Sequence, residues 1–397
     1  MKPILSDPIV FLSATRTPMG NLQGDLSSLA AHQLGATAIR GAITQAAIAP
    51  QAVEELVFGC VLPAGQGQAP ARQAALGAGL ALSAGCTTIN KMCGSGMRAV
   101  MTAHDSLAVG AAEVMVAGGM ESMSQAPYLV MKGRGGYRLG HATLYDHMML
   151  DGLEDAYEKG RSMGTFGEDC ARAYGFTRTM QDDFAIASVQ RAQKATASGH
   201  FAHEITPVEI QSRKGVVVVS TDEGPRNIKV EKIPELKPAF SKDGTVTAAS
   251  SSSISDGAAA LVMTRLSVAE RLGLKPIAKM VGHSTYAAAP PDFPTAPIGA
   301  IRRLLTANNW AVADIDLWEV NEAFAVVAMS TMKDLGIGHD QMNIHGGACA
   351  LGHPIGASGA RILVTLLHAL RHSGAKRGLA SLCIGGGEAT AVGIEMF

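Results

Sequence analysis

The sequence predicts an α/β protein made of two copies of one unit, the first of which carries a long insertion. Three observations predict it. Short β-branched apolar runs alternate with helical patterns, one segment pattern occurs twice, and the second copy ends in a hairpin that the first completes only much later in the chain.

Apolar runs at 9–12, 57–62, 114–117, 317–320 and 379–384 have the length and flanks of buried strands. Strands that alternate with helices imply layered α/β packing. Leu363, Leu366, Leu367 and Leu370 follow the i, i+3, i+4, i+7 spacing, so a helix with one apolar face follows Ser358. A similar helix follows Ser95.

The repeat is read from these two regions. Ser95-Gly-Met-Arg98, a helix, Gly110 and Val114-Met-Val-Ala-Gly-Gly119 match Ser358-Gly-Ala-Arg361, a helix, Gly374 and the run 379–387. In the second copy the glycines lead straight into a return strand at 388–396. Its counterpart in the first copy is 256–263, so residues 123–250 read as an insertion at a hairpin tip, where insertions are tolerated. The chain divides into a first half (1–122 with 251–275), the insertion (123–250) and a second half (276–397). The insertion is more polar and reads as loop-rich. It either covers a site between the copies or decorates the surface.

A length of 397 residues exceeds one ordinary core, which fits this division. The hydrophobic fraction of 47% against 17% charged excludes disorder. Lys and Arg total 33 and Asp and Glu 34, so no global field recruits nucleic acid or a membrane, and an anionic ligand must be met locally. No run approaches the ~18 apolar residues of a membrane span. The opening lacks the apolar core of a secretion signal and the last residues make no peroxisomal signal, so a cytoplasmic enzyme is expected. Six scattered cysteines read as reduced thiols. None forms a Cys-x-x-Cys pair, and His200 and His203 read as an isolated, exposed pair, so no metal is expected.

Four positions carry candidate chemistry. Cys93 lies among small residues just before a helix, where unpaired N–H groups and the helix dipole favour a thiolate nucleophile. The alternative is a core cysteine. His353 precedes Pro354 on a turn before the second helix; it is either a base for a thiol or a histidine bonded to its own loop. Cys383 ends an apolar strand ahead of Gly385, Gly386 and Gly387, whose N–H groups can face a ligand; otherwise it is a small buried hydrophobe. Asn321 follows a strand and opens Asn321-Glu-Ala-Phe-Ala325, where it is either an N-cap or a holder of water. The glycine tracts match neither a phosphate loop nor a dinucleotide fingerprint, and no nucleophile elbow is present.

Asn90-Lys-Met-Cys-Gly-Ser-Gly-Met-Arg98, Asn321-Glu-Ala-Phe-Ala325, the stretch from Gly346 to Arg361 and Cys383-Ile-Gly-Gly-Gly387 resemble, in this order, the motifs of the thiolase family, in its acetyl-CoA C-acetyltransferase branch. The resemblance covers essentially the whole chain. It implies a duplicated five-layered αβαβα core with an inserted loop domain that holds coenzyme A, in a dimer or tetramer. It implies that Cys93 is acylated, that His353 activates it, and that Cys383 removes or returns the α-proton of a second acetyl-CoA. Two oxyanion holes follow, a water on Asn321 together with His353, and the N–H groups of Cys93 and Gly385. Met163, Ser252, Ala323 and Phe324 would line the pantetheine and acyl pocket, and Arg226 would meet the nucleotide phosphates. Coenzyme A thioesters are substrates, and no cofactor or metal is implied.

The chain departs from the family pattern at Ser162, Ser250, Ser253 and Phe293, which bears on acyl selectivity. Three alternatives stand beside this reading: a 3-ketoacyl-CoA thiolase of broader chain length, a condensing synthase of the same superfamily, and a silent carrier of coenzyme A or lipid. Cys383 disfavours the synthase, and the presence of all four reactive positions disfavours the carrier.

Overall fold

The computed structural model describes residues 7–397. Residues 1–6, on which the absence of a secretion signal was read, lie outside the described residues. In the first half β1 (Ile9–Arg16), α1 (Ala31–Ala46), β2 (Glu55–Gly59), α2 (Pro70–Gly77), β3 (Gly85–Ile89), α3 (Ser95–Ala108) and β4 (Val114–Ser122) run in order. The insertion holds α4 (Met163–Tyr174), α5 (Arg178–Ala197), α6 (Glu223–Asn227) and two small hairpins. β5 (Ser255–Arg265) then returns to the first half. The second half is β6 (Ala278–Ala287), α7 (Ala296–Asn308), β7 (Leu317–Val320), α8 (Ala325–Leu335), α9 (Ala348–Leu351), α10 (Ser358–Ser373), β8 (Arg377–Ile384) and β9 (Glu388–Met396).

The duplication is visible in strand order, β7-β8-β9-β6-β1-β5-β4-β2-β3. β4 and β5 pair antiparallel from Ser122↔Asp256 to Val114↔Thr264, as β8 and β9 do from Ile384↔Glu388 onward. β2 lies parallel to β4, as β7 does to β8. Even β3 has a vestige in the second copy, a single parallel bridge between Trp318 and Met342. The halves join through two residue pairs of β1 and β6, Val10↔Lys279 and Phe11↔Ala278.

Five layers result. α1 and α2 cover the outer face of the first half's strands, and α7 and α8 that of the second's. Between the halves lie α3 and α10, whose Met97, Val100, Leu107, Leu363, Leu366 and Leu370 are buried against strands of both copies. Burial of each such side chain stabilises by roughly 1.5–3 kcal/mol, which explains apolar residues on nearly every side of α10. The two helices touch at their first turns. A Cβ at Gly96 would lie 2.8 Å from Ala360 N, and one at Gly359 only 2.4 Å from Met97 N, so glycine is required in both copies. This crossing delivers the residues just before each helix, Cys93 and His353, to one end of the molecule.

Most expected strands are present, β1 and β4 longer than their apolar runs. The run 57–62 behaves otherwise, because its strand stops at Gly59. Beyond it Val61 and Leu62 donate N–H bonds of 2.9 and 3.1 Å to the buried Glu121 carboxylate, which takes the place of ladder partners. The insertion is also more helical than its polarity suggests, α5 alone spanning 20 residues. It is tied to β1 by a buried Arg16, bidentate to Asp222 at 2.6 and 2.9 Å and bonded to Glu204 at 2.5 Å.

Candidate active site

Cys93 sits on a tight turn between β3 and α3. Met92 before it takes the left-handed region at φ +46°, a strained choice for a non-glycine residue. Ser95 holds the turn, accepting from Lys91 N at 2.8 Å and donating to Met92 O at 2.6 Å. Gly94 packs so closely that a Cβ there would lie 2.3 Å from Ile384 Cδ1, so the turn rests on the end of β8. The N–H groups of Gly385 and of Cys93 itself point at the sulfur and favour its anion, but burial outweighs them and pushes the thiol up to about 11. The thiolate expected from the helix start is therefore not the resting form. Cys93 at rest is a protonated thiol that needs a base.

His353 is buried on the turn before α10, its N–H bonded to Ser253 O at 3.0 Å. Its Nδ1 lies 2.6 Å from Ser358 Oγ, and that hydroxyl lies 2.9 Å from Pro354 O. A carbonyl can only accept, so the hydroxyl gives its one proton to Pro354 and takes the Nδ1–H of His353. The tautomer follows: Nε2 carries a bare lone pair, and it has no partner among the described residues. Burial, with the Arg361 guanidinium nearby, pulls the imidazole down to about 3 and keeps it neutral. Ser358 thus repeats Ser95, each serine opening its helix by clamping the turn before it.

Cys383 is the last residue but one of β8, buried, and burial together with the neighbouring Cys93 raises its thiol well above the ordinary range. The two thiols, from opposite copies, share one site. Asn321, fully buried after β7, donates its N–H to Ser381 O at 3.0 Å and accepts from Arg361 at 3.4 Å through Oδ1, while Nδ2 has no partner among the described residues. It is not an N-cap, because α8 begins only at Ala325 and Phe324 takes the cap position. The N-cap alternative is corrected by the three residues that separate Asn321 from that helix.

Sequence reasoning missed two carboxylates that frame this end. Glu322 accepts from Ser188, Asn343 and Cys349 N at 2.7–3.0 Å and so fixes the loop that leads to His353. Glu121 bonds Gly356 N at 2.9 Å as well as the 61–62 turn, and burial pushes it up to about 7. Glu322 lies inside a quoted motif, yet nothing in its spacing distinguishes a buried brace from an exposed acid.

Beside the thiols, Met163 opens α4 with its Cε 3.5 Å from where a Gly385 Cβ would stand. The run 250–253 is a strap across the second half. Ser250 O accepts from Ala325 N at 2.8 Å, Ser251 bridges Phe324, Ser252 N and Oγ both reach Ala323 O at 3.0 Å, and Ser253 O holds His353. The Ser252 hydroxyl is thus engaged with protein, and the serine run is a polar strap. Phe324 meets Phe240 edge to face at 5.8 Å and Phe293 at 6.4 Å. A cavity of about 310 Å³ adjoins the strap, lined by Ile228, Lys229, Lys232, Leu236, Ala249 and Ser253 among others. Arg226, on α6 two residues before Ile228, is half-exposed and paired with Asp25 at 2.6 Å. A second cavity, of about 260 Å³ between α1 and α2, touches none of these residues.

Comparison with known proteins decides the family. Residues 9–267 match the model of "Thiolase, N-terminal domain" and residues 274–396 that of "Thiolase, C-terminal domain". The chain belongs to the thiolase family. It is 48% identical over 396 residues to "Acetyl-CoA acetyltransferase, mitochondrial" of Rattus norvegicus, covering 99% of this chain and 92% of that protein. It is 45% identical over 393 residues to "Acetyl-CoA acetyltransferase, cytosolic" of Mus musculus, covering 98% of each. The crystal structure of the Acat5 thiolase of Ascaris suum in complex with coenzyme A superposes with a TM-score of 0.93 at 41% identity, covering 98% of this chain and 100% of that one.

Within this thiolase the remaining departures have structural settings. Ser162 is the extended residue before α4 and makes no side-chain cap. Phe293 is buried edge to face against Phe166 at 5.9 Å. The His200 and His203 pair is not isolated. His200 Nδ1 lies 3.0 Å from His345 Nε2 and its ring stacks on His372 at 5.1 Å, because the turn after α5 folds onto the end of α10. All six cysteines are free. No helix among the described residues is long and apolar enough to cross a membrane.

Proposed function

We propose that this thiolase catalyses the reversible Claisen condensation of two acetyl-CoA to acetoacetyl-CoA and free coenzyme A, through an acyl group carried on Cys93. The meeting of two thiols from opposite halves carries the reading; a neutral histidine with a bare Nε2 stands before α10, whose first turn packs on that of α3, and the relatives' names supply the acyl group.

The resting proton inventory fits a closed cycle. In thiolysis Cys93 Sγ attacks the ketone carbon of acetoacetyl-CoA while His353 Nε2 takes its proton. The C–C bond breaks, the acetyl group stays on sulfur, and the departing enolate of acetyl-CoA takes its proton from the Cys383 thiol. The thiol of coenzyme A then attacks the acetyl group, giving its proton to the Cys383 thiolate, and His353 returns the first proton to Cys93. Condensation is the same path reversed. Once protonated, Nε2 becomes a donor and, with a water on Asn321 Nδ2, can stabilise the enolate oxygen. The N–H groups of Cys93 and Gly385 would serve the tetrahedral oxyanion, each such donor being worth about 2.7–4 kcal/mol.

The insertion would hold coenzyme A, with Met163, Ser252, Ala323 and Phe324 along pantetheine and Arg226 at the phosphates. Coenzyme A thioesters enter as substrates, and side chains alone suffice, with no metal or other cofactor. Free cysteines fit a reducing compartment, which we take as the cytoplasm; cell fractionation tests it. A homodimer or homotetramer acting in fatty-acid metabolism completes the reading, and light scattering tests the assembly.

Coenzyme A-dependent cleavage of acetoacetyl-CoA beside a longer 3-ketoacyl-CoA tests the function. A strong preference for the four-carbon substrate is expected, with Cys93→Ala inactive and Cys383→Ser still acylated on Cys93 but unable to form the C–C bond. Equal or better use of the longer substrate would make this a broader-chain 3-ketoacyl-CoA thiolase, and no cleavage of either would leave a silent carrier.

A further inference from the structure

Near the C-terminal end of α3, opposite the catalytic end, three ligating side chains converge. His104 and Asp105 are consecutive on α3, and His283 lies on β6. Asp105 Oδ1 is 3.1 Å from His104 Nδ1 and 2.8 Å from His283 Nε2, and the rings meet edge to face with centroids 5.2 Å apart. One ligand atom from each of the three lies within 4.8 Å of the others. A zinc ion with bonds of about 2.0–2.2 Å holds its ligand atoms roughly 3.3 Å apart, so two of the three separations already fit and the third must contract. His104 is buried, His283 half-buried and Asp105 exposed, which leaves one side open to solvent for a fourth ligand. Among the described residues Asp105 has no Lys or Arg partner; both of its ion-pair partners are these imidazoles.

A bulge brings His283 to this face. The register of β6 passes from Met280↔Ile394 to Gly282↔Gly393 and leaves Val281 unpaired. Met280 and Ile394 face the central core, and after the bulge His283 pairs with Val392, another central-core residue. Gly282 instead faces α7, where a Cβ would meet Asn308 and Leu304. Strict alternation would have put His283 on the α7 side.

The duplication supplies an internal control. The same bulge recurs in β1 between Phe11 and Ser13, so the bulge belongs to the fold. The ligands do not. By the repeat His104 and Asp105 correspond to Leu367 and His368, and the neighbouring strand offers Ala14, whose carbonyl His368 meets at 2.9 Å. One copy fills this position with packing; the other fills it with two imidazoles and a carboxylate.

We propose that His104, Asp105 and His283 bind one divalent cation of the zinc class, clamping α3 of the first half to β6 of the second. A ligand set of two imidazole nitrogens and one carboxylate oxygen suits Zn²⁺, Co²⁺ or Ni²⁺ over Ca²⁺ or Mg²⁺.

The full chain, stripped with EDTA and dialysed, is titrated with Co²⁺ and then Zn²⁺. One equivalent per chain is expected, with visible cobalt bands, no sulfur-to-metal charge-transfer band, and a Tm that rises with Zn²⁺. His283→Gln and Asp105→Asn should each weaken binding about tenfold or more while thiolysis persists, which verifies their folding. A sulfur-to-cobalt band would put the metal on the catalytic cysteines and overturn the proposal. So would unchanged affinity in His283→Gln, which points to the His200 and His345 cluster, or no binding by the wild-type chain at micromolar metal.

Discussion

Ser358 Oγ stands 2.6 Å from His353 Nδ1, and its own proton is committed to Pro354 O at 2.9 Å, so one hydroxyl selects which nitrogen of the histidine is free. Ser358→Ala removes that selection. It should lower kcat about 10- to 100-fold with KM little changed, as loss of a partner behind a catalytic histidine generally does. Ser358→Thr should restore part of the loss. Steady-state thiolysis kinetics check this, and a rise in KM alone would mean that Ser358 shapes only the pocket.

Cys93 at rest is a thiol held up to about 11. Alkylation of Cys93 by iodoacetamide, followed by mass spectrometry, should therefore accelerate steadily from pH 7 to about 10, since only the thiolate reacts. A plateau below pH 8 would mean that the thiolate is the resting state and that His353 is not needed to form it.

Burial, with His200 and His372 nearby, holds His345 down to about 4. Its folded value lies below the unfolded one of about 6.5, so the unfolded chain binds the extra proton as pH falls between them. Stability is fully present above about 6.5 and is lost as pH drops towards 4, by on the order of 2–3 kcal/mol from this residue. His353, held down to about 3, acts in the same direction. Thermal melts from pH 7 to 4 should show the decline, and His345→Gln should make it shallower.

Arg226→Ala should raise KM for coenzyme A several-fold and leave kcat nearly unchanged, because a phosphate contact remote from the thiols binds ground state and transition state alike. The effect should shrink with 3′-dephospho-coenzyme A and in high salt. An equal effect on both forms of the coenzyme would place the contact elsewhere than on that phosphate.

Phe293 fills the space between Phe166 and Phe324. Phe293→Leu should raise cleavage of a six-carbon 3-ketoacyl-CoA relative to acetoacetyl-CoA, at a stability cost of about 1–2 kcal/mol. An unchanged ratio would remove Phe293 from the determinants of chain length.

The duplication and the displaced return strand were legible because each leaves a local trace, a repeated Ser-Gly-x-Arg or an apolar run, and the candidate positions stood out in the same way, as a cysteine among glycines. Net protonation was not. The N–H of Cys93 itself follows from its place before a helix, but the N–H of Gly385 and the burial that overrides both depend on β8 and the turn after it in the other copy. The cap alternative for Asn321 arose because it precedes a helical pattern, while the residues between it and α8 are held by pairing with the serine strap. The histidine cluster was invisible for the same reason, since His200, His345 and His372 are distant in sequence and meet only when the turn after α5 folds onto α10. The end of β2 at Gly59 is set by a carboxylate on β4.

Strand β1 is flanked by β5 and β6, both encoded more than 230 positions later. During synthesis at about 5–20 residues per second, this apolar strand leaves the ribosome roughly 12 to 50 s before either neighbour exists. For that interval Ile9, Val10 and Phe11 have no native ladder to join, and the first half cannot close until most of the chain has been made. A ribosome stalled inside the insertion would hold out an unpaired apolar strand, a substrate for chaperones and a seed for association between nascent chains.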